Sequence, residues 1–274
     1  PPCTNIIKKK GIKRVYYSFN DLDKRTANKS KKILNKEKII VQRIQTNNFK
    51  NFYQSYYASK QNIIPLVDAK IAISKDYFTI KKGFKWITNY LSRKRSHLIR
   101  SEYDCILSTS KSINKDNSLL NCRLNGFNDN KPDLIIIDLK FKIRKKLTLF
   151  KKFKKRKIFI ITSNFKSKKI LYFKKRGVKI IFIKSLETKF DFISLFRILK
   201  KYGYNRLLVE SGLIFLNTLI RNKLISNLYV FKSPKKLGKI GVNNSTNKLI
   251  KKVNLKKKIK VNLNGDNLYK IKMK

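Results

Sequence analysis

The chain has 274 residues, with 68 Lys and Arg against 15 Asp and Glu and a formal net charge of +53. Hydrophobic residues make up 42% and aromatic residues 12%, which excludes a chain kept disordered by low hydrophobicity. No window approaches the roughly 18 uncharged apolar residues of a membrane span, and no secretory signal pattern opens the sequence.

The chain begins Pro1-Pro2-Cys3-Thr4 without an initiating Met and reads as a fragment of a longer polypeptide. Strands are predicted at Lys13–Phe19 and Ile39–Arg43, followed by a helix over Asn47–Ala58. This opening segment is rich in Lys and Asn, carries only short strands and is too small for a stable α/β domain by itself. The character changes around Gln61–Pro65, so a boundary is placed near residue 62, dividing 1–62 from 63–274. Beyond it, strands are predicted at Leu66–Ser74, Asp104–Ser110, Asp133–Leu139, Lys157–Ser163, Val178–Lys184, Arg206–Glu210 and Leu228–Lys232. Helices are predicted between them at Thr88–Glu102, Phe165–Arg176, Phe190–Tyr202 and Gly212–Asn222. Continuous runs such as Leu134-Ile135-Ile136-Ile137 and Ile158-Phe159-Ile160-Ile161 suit strands covered on both faces. Ile259–Met273, broken by Asn264-Gly265-Asp266, reads as a hairpin, because Asn-Gly supplies the positive φ of a tight turn. The alternation predicts an α/β protein with a mixed sheet flanked by helices.

Lysine supplies most of the charge and is spread through strand ends and turns. A nucleic-acid-binding surface instead concentrates its cations on one face or in a tail and favours arginine for bidentate contacts. Only 9 residues are glycine, about half the usual ~7%, and the enriched Lys, Ile, Asn, Phe and Tyr have A/T-rich codons. The charge is therefore read as compositional drift, with salt-sensitive, non-specific polyanion binding as a by-product. Cys3, Cys105 and Cys122 are too few and too scattered for a disulfide framework, which points to a reducing, cytoplasmic location.

Four places stand out. Cys3 follows a Pro-Pro pair; a zinc site needs three or four ligands at short spacing and nothing else nearby can serve, while a lone Cys is more often a small buried hydrophobe. Trp86-Ile87-Thr88-Asn89 leads into a helix carrying Arg93, Arg95, His97 and Arg100, which Thr88 can cap. By residue type alone Trp86 is a core anchor and the basic stripe a solvated face, although Arg100 has the planar fork that matches a phosphate or carboxylate. Ser112 to Arg123 reads as a polar loop holding Asp116, suited to sugar-hydroxyl and phosphate contacts or to a plain surface role. In Leu207-Leu208-Val209-Glu210-Ser211-Gly212, a strand ends in a carboxylate and a glycine turn into a helix. Such helix N-termini bind anions, although a glycine there is also ordinary punctuation.

In this order the motifs resemble the bifunctional riboflavin biosynthesis deaminase–reductase family, over the whole chain. The opening Pro1-Pro2-Cys3-Thr4 with Gly11 and Val15-Tyr16-Tyr17 is similar to the end of that family's zinc deaminase domain, a partial cytidine-deaminase-like segment. The remainder is similar to its dihydrofolate-reductase-like reductase domain through Lys70-Ile71-Ala72-Ile73-Ser74, Trp86-Ile87-Thr88-Asn89 and His97-Leu98-Ile99-Arg100, then Asp116-Asn117 with Leu120 and Arg123, Val209-Glu210-Ser211-Gly212, and Ser233-Pro234 with Leu237-Gly238. The resemblance implies that Ala72, Trp86, Ser112, Asp116 and the turn Gly212, Leu213, Ile214, Phe215, Leu216, Asn217 and Thr218 contact NADPH. It implies that Arg100, Leu120, Arg123 and Glu210 hold the phosphoribosylaminopyrimidine, that Cys3 is the last of three zinc ligands, and that the protein is a homo-oligomer. The implied reaction moves a hydride from NADPH to the ribosyl C1, giving a ribitylamino product; the cofactor supplies the hydride and the protein aligns it.

The chain departs from the pattern in several places. Ser74-Lys75-Asp76-Tyr77-Phe78 stands for Ser-Leu-Asp-Gly-Lys, Phe84 for a serine, Leu139 for a serine after Asp138, and Leu213 for a proline. Asp21-Leu22-Asp23-Lys24 stands for Asp-Pro-Asn-Pro. The deaminase His-x-Glu and first Cys are not in this chain, so the residues present are not expected to deaminate. The competing expectation is a basic nucleic-acid-binding protein, or a structural subunit, that keeps the reductase-like fold without catalysis.

Overall fold

A computed structural model of the chain describes residues 2–21, 26–27, 29–44, 53, 56, 63–126, 132–151, 156–256 and 258–273. It divides into two compact units, Pro1–Ile64 and Pro65–Lys274.

The first unit runs α1 (Cys3–Lys9), β1 (Arg14–Tyr17), α2 (Lys29–Lys36) and β2 (Ile40–Arg43), with β1 and β2 paired in parallel from Arg14↔Ile40 to Tyr17↔Arg43. The segment therefore holds two helices, before and between its strands, that the sequence reading omits. Lysine is a good helix former, and the paired Ile6-Ile7 and Ile33-Leu34 give each helix an apolar side. Gly11, at φ 65, ends α1 in the left-handed conformation that glycine adopts without a Cβ penalty. The predicted helix Asn47–Ala58, apart from Tyr53 and Tyr56, and the boundary at residue 62 lie outside the described residues, as do Leu22, Asp23 and Lys24.

The second unit is built on eight strands: β3 (Leu66–Ile73), β5 (Cys105–Thr109), β6 (Asp133–Ile137), β7 (Ile158–Thr162), β8 (Lys179–Phe182), β9 (Arg206–Val209), β10 (Asn227–Lys232) and β12 (Asn267–Lys272). Their order is β12-β10-β3-β9-β5-β6-β7-β8, parallel throughout except that β12 runs antiparallel to β10. Two-residue strands β4 (Ile80–Lys81) and β11 (Gly241–Val242) pair antiparallel outside this sheet. The helices are α3 (Tyr90–Ser101), α4 (Ser110–Asp116), α5 (Thr148–Lys151), α6 (Lys169–Lys174), α7 (Lys189–Lys201), α8 (Leu213–Arg221) and α9 (Lys248–Lys252). The isoleucine-rich runs form interior strands of the sheet: all five residues of β7 are buried.

Register assigns the faces. Ile106 lies opposite both Leu134 and Leu208, and Tyr229 opposite Lys70, so these side chains share one face of the sheet with Glu210, two residues after Leu208. That face carries two apolar clusters. One joins Ile106, Leu134, Ile136, Ile158 and Ile160 to Leu120, Ile170 and Phe173. The other joins Leu208, Tyr229, Phe231 and Leu268 to Ile99 and Tyr103. On the opposite face Tyr202 and Tyr204, at the end of α7, stack on Phe159 at 5.2 and 5.9 Å.

Three local readings are corrected. Ser112 to Asp116 is helical rather than loop, because the Thr109 side chain accepts from Ser112 N and Ile113 buries its side chain; the chain leaves α4 at Asn117, in the left-handed region. Asn89, not Thr88, caps α3, its side chain accepting from Ser92 N at 3.0 Å. The C-terminal hairpin has its turn, with Asn264 and Gly265 at φ 47 and 89, but only one arm is a strand. The arm before the turn makes a single bridge, Lys258↔Tyr269, because Ile259, Val261 and Leu263 pack down against the second apolar cluster.

Candidate functional site

The order of strands sets the site. From β3 the chain crosses through α3 to β5, two positions away in the sheet, and β9 later fills the place between them. Such a reversal of winding is where open α/β sheets leave a crevice at the carboxyl ends of their strands. Glu210, the residue after β9, emerges there between the two apolar clusters.

Glu210 is 7% exposed. A buried carboxylate is costly without partners, and here two cations supply them. Arg100 donates from Nε to Oε1 at 2.5 Å and from Nη2 to Oε2 at 2.9 Å, while Lys70 Nζ reaches Oε2 at 2.9 Å. Burial pushes the Glu210 carboxyl up, but Arg100 and Lys70 outweigh it and hold the carboxyl well below the usual range. Lys70 reaches this cluster because β3 places it on the same face, in the middle of a strand whose one other charged residue is the buried Asp68.

Arg100 also donates from Nη1 to the Asn121 carbonyl at 3.1 Å, so all three of its donor nitrogens are engaged. The same carbonyl lies 2.9 Å from His97 Nδ1, and Arg123 Nη2 lies 3.2 Å from His97 Nε2. Because Arg123 can only donate, this network assigns Nε2 as acceptor and Nδ1 as the protonated nitrogen. Burial, then the charges of Arg100 and Arg123, lower the His97 pKa to about 4, so the ring is neutral near pH 7. Arg123 is exposed and holds Asn121 Oδ1 at 2.6 Å. The solvated-stripe reading of α3 is thus overturned at His97 and Arg100, which turn inward.

A second group lies along α4 and α8. Ser112 Oγ accepts from Gly212 N at 3.2 Å, bringing two of the expected cofactor residues into contact. Gly212 precedes α8 and has no side chain to cap the N–H groups of its first turn, while its carbonyl accepts from Leu216 N at 3.2 Å. Leu213, Leu216 and Asn217 are buried, and Thr218 Oγ1 donates back to the Ile214 carbonyl at 3.1 Å, while Phe215 stacks on Phe192 at 6.0 Å. Within 212–218, then, it is the backbone of the first turn, with the exposed Ile214, that faces outward. Asp116 is exposed at the end of α4, within the fields of Lys115, Lys85 and Lys70. Ala72 is partly buried beside the second cluster, and Leu120 packs its side chain into the first, so any contact Leu120 makes with a ligand runs through its backbone. Trp86 is 54% exposed, flanked by Arg93 at 4.9 Å and Lys85 at 5.2 Å, which overturns its reading as a core anchor.

The altered loop after β3 keeps a shape that its sequence disfavours. Tyr77, standing where the resembled family has glycine, adopts φ 65. Its carbonyl accepts from Asn243 and Asn247 Nδ2 at 3.0 and 3.2 Å, and Lys232 Nζ sits 4.3 Å over its ring. Asp76 anchors the same loop by accepting from Leu237 N at 3.0 Å and Gly238 N at 2.9 Å. Phe84 is exposed.

Lys70, His97, Asn121 and Asp76 were not singled out as site residues. A lysine inside a mostly apolar strand and a sole histidine are signals present in the sequence; the backbone carbonyl of Asn121 leaves none. Cys3 is exposed rather than buried, and among the described residues no group of three or more His, Cys, Asp and Glu is placed to hold a metal ion. The residues present do not fit a zinc site.

An open, mostly parallel α/β sheet with a cation-lined carboxylate at its winding reversal and an uncapped helix N-terminus beside it places this chain in the class of open-sheet α/β proteins, whose crevices lie at the strand ends. Residues 65–268 match the model of the RibD C-terminal domain, and the chain belongs to that family. It is 28% identical over 260 residues to the riboflavin biosynthesis protein RibD of Buchnera aphidicola, covering 87% of this chain and 67% of that protein. It is 25% identical over 247 residues to RibD of Aquifex aeolicus, covering 87% and 66%. The chain thus spans about two thirds of the curated relatives that it matches. Among solved structures, Acinetobacter baumannii RibD aligns with TM-score 0.80 at 19% identity, covering 99% of this chain and 76% of that one. The diaminohydroxyphosphoribosylaminopyrimidine deaminase/5-amino-6-(5-phosphoribosylamino)uracil reductase of Thermotoga maritima aligns with TM-score 0.79 at 21% identity, covering 99% and 74%.

Proposed function

We propose that this chain carries the reductase step of riboflavin synthesis, the NADPH-dependent reduction of 5-amino-6-(5-phosphoribosylamino)uracil to its ribitylamino product. The observation that supports it most is the Glu210–Arg100–Lys70 cluster, with His97 and Arg123 beside it, at the sheet's winding reversal. The uncapped first turn of α8 and the Ser112–Gly212 contact fit a dinucleotide phosphate, and Trp86 offers an exposed ring face. Asp116 suits a cofactor ribose hydroxyl.

NADPH, when bound, supplies the hydride that reduces the substrate's ribosyl C1. Glu210, held ionised, accepts from the substrate's amino and hydroxyl donors and does not serve as an acid at neutral pH. Arg100 is committed to Glu210 and Asn121, so it fixes the carboxylate. Arg123, exposed and lightly held, is the arm free to turn to the substrate phosphate. Neutral His97 accepts from Arg123 and so leaves its charge uncancelled. We infer further that residues 1–64 correspond in fold to part of a deaminase domain, which the 99% coverage of this chain by RibD structures supports.

The test is oxidation of NADPH by the purified chain in the presence of the phosphoribosylaminouracil. Turnover that falls at least a hundredfold in Glu210→Ala and in Arg100→Met is expected; wild-type protein that neither oxidises NADPH nor binds it saturably would overturn the assignment.

A further inference from the structure

Every substrate-side group above except Glu210 and Lys70 is tied to the segment 119–123. That segment is bent at Leu120, whose φ of 46 is uncommon for a residue with a Cβ and persists only where the surroundings impose it. The side chain that meets this bend is Arg156, two residues before β7 and far from the site in sequence. Its Nη1 donates to the Leu120 carbonyl at 2.7 Å and to the Pro132 carbonyl at 3.5 Å, and its Nη2 donates to the Leu119 carbonyl. The guanidinium therefore grips two successive carbonyls on either side of the left-handed residue, together with the approach to β6. One planar fork fixes the direction of both peptide groups, whereas a lysine ammonium would meet them with freely rotating donors on a single nitrogen.

The arrangement carries a cost that a merely decorative surface arginine would not. Burial, then the charges of Arg100 and Arg123, lower the Arg156 pKa to about 10, with Asp133 the one group pulling the other way. A third cation is thus kept near two others, bonded only to neutral carbonyls. From Leu120 the next residue is Asn121, whose carbonyl takes His97 Nδ1 and Arg100 and whose side chain takes Arg123.

We propose that Arg156 is a positioning residue of the substrate site: by holding the Leu119 and Leu120 carbonyls it sets the bend that presents Asn121 to His97 and Arg100 and carries Arg123 to the substrate phosphate. The kinetic part of this inference rests on the reductase reading; the structural part does not.

His97 is the only histidine of the chain, so its carbon-bound ring protons give one isolated NMR titration. The charged groups that face it are Arg100, Arg123 and Glu210, with the Asn121 carbonyl; Arg156 acts on it only through the segment. In the wild-type chain the ring should remain neutral down to about pH 5. In Arg156→Met the freed segment should expose His97 and move its titration up by about one pH unit or more toward the ordinary value near 6.5. Arg156→Lys, which keeps the charge but not the fork, should shift it by an intermediate amount. In the assay with NADPH and the phosphoribosylaminouracil, KM for the pyrimidine should rise at least fivefold in both variants while KM for NADPH stays within twofold. Unchanged His97 titration together with an unchanged pyrimidine KM in both variants overturns the proposal, as does a loss confined to kcat. If the Met variant fails to fold, the Lys variant decides on the same two readings. If the wild-type chain proves inactive, the reductase reading fails while the His97 titration still tests the role of Arg156.

Discussion

Replacing Glu210 by Gln keeps the volume and removes the charge, leaving Lys70 and Arg100 buried around a neutral amide. Breaking a buried ion pair by removing one partner costs about 3–5 kcal/mol, because the remaining charge loses compensation that water would have supplied. The upper part of that range applies here, since one carboxylate serves two cations through contacts of 2.5 and 2.9 Å. The pH dependence gives a sharper signature. The folded-state pKa of Glu210 is depressed, so its contribution is fully present above the unfolded value, near 4.5, and is lost progressively as pH falls below it. Below about pH 4.5 the unfolded chain binds a proton that the folded chain does not, and stability falls by up to about 1.4 kcal/mol per pH unit from this group. Urea unfolding of wild type and Glu210→Gln should therefore differ by about 3 kcal/mol or more near neutral pH, and the gap should narrow as pH drops through the acid range. A gap below about 1 kcal/mol at neutral pH, or one that stays constant in acid, would refute the ionised, doubly paired Glu210.

Other expectations follow from the same contacts. A Cβ built on Gly241 would overlap the Phe78 ring, so Gly241→Ala should destabilise by about 1–3 kcal/mol, and Phe78→Leu in the same chain should recover part of the loss in thermal unfolding. Trp86→Ala should leave the melting temperature nearly unchanged, since the ring is 54% exposed, yet weaken NADPH binding severalfold in a fluorescence titration; equal affinity would remove Trp86 from the cofactor site. Cys3 is exposed while Cys105 and Cys122 are buried, so a thiol reagent should label one cysteine rapidly in the native chain and all three after denaturation. Binding of a random-sequence RNA should fall steeply between low and physiological salt; affinity that survives would revive the nucleic-acid reading of the +53 charge.

The strands were the most legible part of the molecule. β6 and β7 carry the isoleucine-rich apolar runs 134–137 and 158–161, and runs that apolar have no stable place except between two covering layers. The short helices of the first unit and α4 were hidden because Lys- and Asn-rich stretches look like loops until a cap, such as Thr109, and a single buried residue, such as Ile113, are seen to act together. The left-handed turn after β3 was hidden for the opposite reason. Glycine is its usual signal, and here the clamp from Asn243 and Asn247 holds Tyr77 in that conformation instead.

The amino-acid sequence by itself determined the α/β class and the order of the main strands and the longer helices of the second unit. It also determined which carboxylate and which arginines stand at their ends, because periodicity and punctuation are local properties of the chain. What only the tertiary structure decided is how those charges are shared. Lys70 and Glu210 are 140 positions apart in the numbering, and parallel pairing of β3 with β9 brings them to 2.9 Å. The same folding commits Arg100 to the carboxylate, neutralises His97 and leaves Arg123 outermost. Those roles depend on distance and burial, which the order of residues does not contain until the sheet closes around them.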